Sequence, residues 1–191
     1  SLLIMLEVTA FTTKKTALNT SYREYKNQML LCCMIIRPIQ AKDNVVIAKI
    51  IRDTLMEFGA AKPGTVYFDA TTDHLFELFQ QPKAAYFVVE NEGVVLGGGG
   101  IFHTAGLPHD TCELVKMYLH PTARGYGFGK KLIEQCVLTA KENGFNNIYL
   151  ETMPELKQAL NVYEKSGFRY RTEPLGNTGH FGCGLWMVKK L

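Results

Sequence analysis

At 191 residues, with 47% apolar and 20% charged side chains, the chain has the composition of one globular domain with a sizeable core. A net charge of only +3, with no dense run of lysines or arginines, argues against a nucleic-acid or membrane-surface partner, and no apolar run is long enough to span a bilayer. The five cysteines are odd in number, Cys32 and Cys33 are adjacent, and metal-type spacing is missing among them and the five histidines; they read as reduced thiols in a cytoplasm, with no metal site.

Residues 1–33 carry no clear period and read as an N-terminal extension, with a short helix over Tyr22–Leu31 and alternative natural starts at Met29 or Met34. The domain proper is expected over residues 34–191. Met34–Arg37 reads as a first strand ending at Pro38. Ile47, Ile50, Ile51, Leu55 and Phe58 recur at helical spacing, capped by Asp43 or Asn44 and closed by Gly59. A second, short helix carries Leu75, Phe76, Leu78 and Phe79 and stops at Pro82. Ala85–Val89 and Val94–Leu96 form a hairpin about Glu92-Gly93. Gly97–Gly100 then marks either a bulge, a close approach by another backbone or ligand, or a flexible joint.

Cys112–Leu119 is the next strand. After a glycine-rich turn, Leu132, Ile133, Cys136, Val137 and Ala140 form one apolar stripe of a helix that Gly144 ends. Asn147–Glu151 is a strand, Leu156, Ala159, Leu160 and Tyr163 share a helix face, and Phe168–Tyr170 and Cys183–Val188 complete the sheet. The order is βααβββαβαββ. Strand–helix–strand across Glu113–Leu150 calls for a parallel pair, whereas the hairpin calls for antiparallel neighbours. The fold class expected is a mixed α/β sheet with helices on both faces.

The turn itself carries the chemistry. Arg124-Gly125-Tyr126-Gly127-Phe128-Gly129 joins a strand to a helix that opens with Lys130-Lys131. Alternate glycines leave backbone N–H groups bare where a phosphate could approach, and the helix start and the basic side chains add positive charge. The spacing fits neither a P-loop nor a dinucleotide fingerprint. As R-x-x-G-x-G it resembles the coenzyme A signature of the GCN5-related N-acetyltransferases, the GNAT superfamily. A second block, Ala159 through Phe168 (A-x-x-x-Y-E-K-x-G-F), resembles that superfamily too, and the likeness extends over roughly Met34 to Leu191. One departure is Leu156, where many members carry an asparagine that bonds the cofactor's arm.

The resemblance implies a mostly antiparallel sheet with a splayed central parallel pair, acetyl-coenzyme A as cosubstrate and direct transfer to an amine. It places Met117, Tyr118 and Leu119 along the pantetheine arm, the Met117 N–H beside the thioester carbonyl, and Arg124, Gly125, Tyr126, Gly127, Phe128, Gly129 and Lys130 about the pyrophosphate, with Lys165 of the second block also at the cofactor. Tyr163 is implied as the acid for the leaving thiolate; a phenol of pKa about 10 gives a proton to a thiolate of about 8.5 at little cost. Glu113, eleven residues before Arg124, is the first choice of base, Glu151 the reserve and His120 a third candidate. Cys112 as a nucleophile has no histidine paired with it in sequence and reads as core.

The expected acceptor is a small primary amine such as an amino acid or derivative, in a pocket built by Ile47–Phe68, the glycines near Gly98 and the loop from Asn177 to His180. Arg37, Arg52 and His180 are the candidates to meet a carboxylate. The alternatives are acetylation of a peptide N-terminus or lysine, and a non-catalytic acyl-coenzyme A sensor. A homodimer follows only by analogy with other members.

Overall fold

The computed structural model describes residues 34–176, 178–179 and 181–191. The N-terminal extension, Asn177 and His180 lie outside the described residues. The elements follow the expected order: β1 (Met34–Pro38), α1 (Asn44–Glu57), α2 (Leu75–Leu78), β2 (Ala85–Asn91), β3 (Val94–Phe102), β4 (Thr111–Leu119), α3 (Phe128–Glu142), β5 (Asn147–Thr152), α4 (Lys157–Lys165), β6 (Arg169–Arg171) and β7 (Leu185–Lys190). They build one seven-stranded sheet in the order β1-β2-β3-β4-β5-β7-β6. β4 and β5 run parallel, and β2–β3, β3–β4, β5–β7 and β6–β7 run antiparallel.

Helices cover both faces because strand residues alternate in direction. On one face Ile47, Ile51 and Leu55 of α1 pack with Tyr86 and Val88 of β2. Leu132, Ile133, Cys136 and Ala140 of α3 are all buried, the stripe read from the sequence. Gly59 ends α1 in the left-handed region at φ +65°. Asp43 precedes α1 but its carboxylate does not cap it: it accepts from Gln40 N and from the Arg37 guanidinium. None of the described helices is long and apolar enough to cross a membrane.

The glycine run does not interrupt the strand; β3 continues through it. Two register shifts flank it, one in β2–β3 between Val89 and Glu90, and one in β3–β4 between Gly98 and Gly100. The neighbouring strands press close. A Cβ on Gly98 would stand 2.5 Å from Phe87 O and 2.6 Å from the Tyr86 ring. Bulge and close approach therefore hold together, and the approaching atoms belong to the protein. Gly98→Ala is expected to destabilise the fold by about 1–3 kcal/mol through overpacking against backbone, measurable by urea denaturation.

Candidate active site

The site begins where β4 leaves its neighbours. β4 pairs with β5 only over Thr111–Glu113 against Asn147–Tyr149; past that point the two strands diverge. On the other side, Gly98 faces Tyr118 and Gly100 faces Val115, so Lys116 and Met117 together stand opposite the single residue Gly99. Lys116 occupies the left-handed region at φ +50°, a strained setting for a non-glycine residue. Three side-chain contacts hold it there. The Tyr86 hydroxyl donates to Lys116 O at 2.8 Å, and Lys116 Nζ reaches Asp69 Oδ2 at 2.6 Å and Thr72 Oγ1 at 3.2 Å.

The divergence opens two cavities. The outer one, about 310 Å³, lies among α1, β4, α3 and α4, with Met117, Leu119, Gly129, Ala159 and Val162 in its wall. The inner one, about 230 Å³, has Glu113, Lys116, Glu151, Thr178 and Cys183 in its wall. Met117, Tyr118, Leu156 and Tyr163 line both. A group seated in one cavity meets a group seated in the other beside those four residues.

At the mouth of the outer cavity the chain turns through Gly125 and Gly127, both at φ +82°, with Gly127 in the left-handed cap position of α3. Lys131 N donates to Gly127 O, so the amides of the preceding residues start the helix without intrahelical partners. These amides and the helix dipole suit a diphosphate. Gly129 serves differently. A Cβ there would come within 3.5 Å of Met117 Cε and 3.8 Å of Val162 Cγ1, filling the opening between α3 and α4. Residues bare of side chain at both the turn and the opening make the outer cavity fit for coenzyme A.

Arg124 lines the outer cavity and is also engaged within the protein. Its guanidinium makes a two-pronged pair with Glu57 of α1 at 2.7 and 2.8 Å, donates to Leu119 O at 2.8 Å and stacks on the Phe58 ring. Its charge is thus matched by Glu57, and it clamps α1 to the turn. An acid in the last turn of a helix, where the dipole disfavours it, was the signal for Glu57. Lys130 lies at the cavity and forms a long surface pair with Glu134. Phe128 is buried in the core, Tyr126 is half-buried in the turn, and Lys165 is exposed at the end of α4; none of the three lines the outer cavity.

Glu113 is 2% exposed and accepts a hydrogen bond from Thr104 Oγ1. Glu151 accepts from the Tyr149 hydroxyl at 2.9 Å and from Thr178 Oγ1 at 2.7 Å. Thr104 and Thr178 carried no motif that could reveal them. Tyr163 projects from α4 to the junction of the cavities, its ring edge-on to Phe168. Burial raises its hydroxyl pKa, so it holds its proton at neutral pH. Burial also pushes the thiols of Cys112 and Cys183 up to about 12, which keeps both from acting as thiolates. His120 takes no part in either cavity; its ring bonds Thr122 in the turn.

Two loops contribute to the wall of the inner cavity. Gly182 N donates to Gly64 O at 3.0 Å, joining the β6–β7 loop to the α1–α2 loop. Leu175 N donates to the Tyr149 hydroxyl at 3.1 Å, tying the same loop to β5. Arg37 and Arg52 lie outside this cavity and are engaged with Asp43 and Glu90, and with Asp73.

A splayed parallel pair beside a glycine-rich helix start defines a transferase architecture built for an acyl-coenzyme A. The model of the Acetyltransferase (GNAT) family matches residues 49–168, and the chain belongs to that family. It is 42% identical over 158 residues to the uncharacterized N-acetyltransferase YjgM of Escherichia coli (strain K12), covering 82% of this chain and 95% of that protein. In fold it is similar to a GNAT-family acetyltransferase of Staphylococcus aureus Mu50, with TM-score 0.73, 17% identity, and 82% of this chain and 98% of that one covered. It is likewise similar to yncA of Salmonella typhimurium, a putative acetyltransferase solved with its cofactor acetyl-CoA, with TM-score 0.65, 19% identity, and 83% and 94% covered. The protein is thus an acyltransferase.

The turn makes one expectation testable by calorimetry. Asn and Asp both tolerate the left-handed region, so Gly127→Asn and Gly127→Asp differ mainly in charge. Gly127→Asp is expected to weaken coenzyme A binding roughly tenfold more than Gly127→Asn, in proportion to a repelled diphosphate.

Proposed function

We propose that the protein transfers the acetyl group of acetyl-coenzyme A to a small primary amine, directly and within one ternary complex. The observation that carries this reading is the small volume of the inner cavity, which meets the outer one only beside Met117, Tyr118, Leu156 and Tyr163 among the described residues. About 230 Å³, walled in part by two joined loops, suits a compact acceptor.

Acetyl-coenzyme A in the outer cavity supplies a thioester-activated acetyl group. The chain supplies the rest. The amides of residues 125–130 hold the diphosphate, and the edge of β4 from Met117 to Leu119 orients the arm. The Met117 amide, set off from regular pairing by the bulge, serves as the donor for developing negative charge on oxygen. An amine attacks only when neutral, so Glu113 removes its proton, directly or through a water. Tyr163, a phenol protonated at neutral pH, returns a proton to the departing sulfur. Burial makes the phenol a weaker acid, and the same burial disfavours a bare thiolate, so the two effects oppose each other.

The test is thiol release from acetyl-coenzyme A across a panel of small amines and peptides. Turnover of amines with none of peptides is expected; turnover of peptides alone would overturn the reading. Two variants sort the roles. Tyr163→Phe should lower kcat on the order of 10²-fold with coenzyme A affinity kept within roughly threefold. Glu113→Gln should lower kcat by a similar factor, roughly 10²-fold, without loss of cofactor binding, because Glu113 lines only the inner cavity.

A further inference from the structure

We propose that the acceptor is a compact amine that bears no carboxylate, and that its far end donates hydrogen bonds to Glu151; a short diamine is the simplest case. The inference rests on the small-amine reading and concerns the same inner cavity.

Among the described residues, the arginines and lysine that a substrate carboxylate would need are taken. Arg37 is bonded to Asp43 and Glu90, and Arg52 makes a two-pronged pair with Asp73. Among the described residues, Lys116 is the one lysine or arginine in the wall of the inner cavity. Its side chain is 5% exposed and its ammonium already holds Asp69 at 2.6 Å and Thr72 at 3.2 Å. A carboxylate entering the cavity would have to displace Asp69 from a buried pair, leaving that aspartate without its cation.

The opposite wall offers an acceptor. Tyr149 and Glu151 lie two apart on β5 and so point to the same face of the sheet, and Tyr149 pairs in register with Glu113. The hydroxyls of Tyr149 and Thr178 both donate to the same oxygen of Glu151, Oε1. Neither donor carries charge, and no described cation lies within ion-pair distance of Glu151. Two donors fix the carboxylate's orientation, while Oε2 receives none from the described residues. A carboxylate held on one side by neutral donors and lining a cavity is preorganised for a cationic or N–H donor. With Glu113 at the reacting nitrogen, Glu151 takes the other end.

A matched series tests this: α,ω-diamines, n-alkylamines and ω-amino acids of equal chain length, over several lengths, compared by kcat/KM for thiol release. The diamines should exceed the alkylamines roughly tenfold at the best length, as a charge-assisted bond to Glu151 requires, and the amino acids should be the poorest. Glu151→Gln should bring the diamine-to-alkylamine ratio close to one, chiefly through KM. Coenzyme A affinity, measured on the same preparation, reports that the variant is folded. Amino acids turned over as well as diamines would overturn the inference, as would a Glu151→Gln variant that slows diamines and alkylamines alike, the signature of a base. If no amine releases thiol, the small-amine reading falls and this inference with it; the other two outcomes leave that reading standing.

Discussion

Everything functional in this molecule depends on a parallel strand pair that is not allowed to finish. β4 and β5 are bonded for three residues and then separate. Beyond that point β4 bulges at Lys116-Met117, where two of its residues face one of β3. Its strained residue, Lys116, is held by the Tyr86 hydroxyl on its carbonyl and by Asp69 on its ammonium. A buried ion pair of this kind adds little net stability, because desolvating two charges offsets their attraction. Burial, with a smaller effect of the Arg52 charge, pulls the Lys116 pKa down despite the aspartate. What the pair contributes is position: it ties the segment before α2 to the edge of the opening.

From that opening the two halves of the site differ in kind. The outer half is made by omission. Glycines at 125 and 127 allow the turn, and glycine at 129 keeps the gap between α3 and α4 clear. The inner half is made by addition, with loops in its wall joined by Gly182 on Gly64 and by Leu175 on Tyr149. The outer half suits a ligand common to a whole family; the inner half carries the residues by which a particular acceptor can be told from others.

Charge follows the same division. Arginines near the site are paired within the protein: Arg124 with Glu57, Arg52 with Asp73, Arg37 with Asp43 and Glu90. The glycine turn and Lys130 lie at the outer cavity, and the carboxylates of Glu113 and Glu151 lie at the inner one. Hydrogen bonds from Thr104, Thr178 and Tyr149 orient those carboxylates without neutralising them. An enzyme that must deprotonate an ammonium is well served by anions that neutral neighbours steady.

The sequence by itself determined the element order, the mixed sheet, the glycine turn at the start of α3, the apolar stripe of α3 and the helix that carries Tyr163. These are local facts: a glycine's dihedral freedom, a helical period and an alternating strand are set by residues a few positions apart. Only the tertiary structure decided that Arg124 would face Glu57, that β4 would bulge at Lys116 rather than merely end, and that Glu151 would be steadied by Tyr149 and Thr178. The partners of Arg124 and Lys116 lie tens of residues away in the chain, and charge or hydroxyl alone does not say which neighbour a side chain will meet. The glycine run shows both sides at once. Its composition announced a close approach, but that the approaching groups would be Phe87 O and the Tyr86 ring was settled only when β2 and β4 packed on either side of β3.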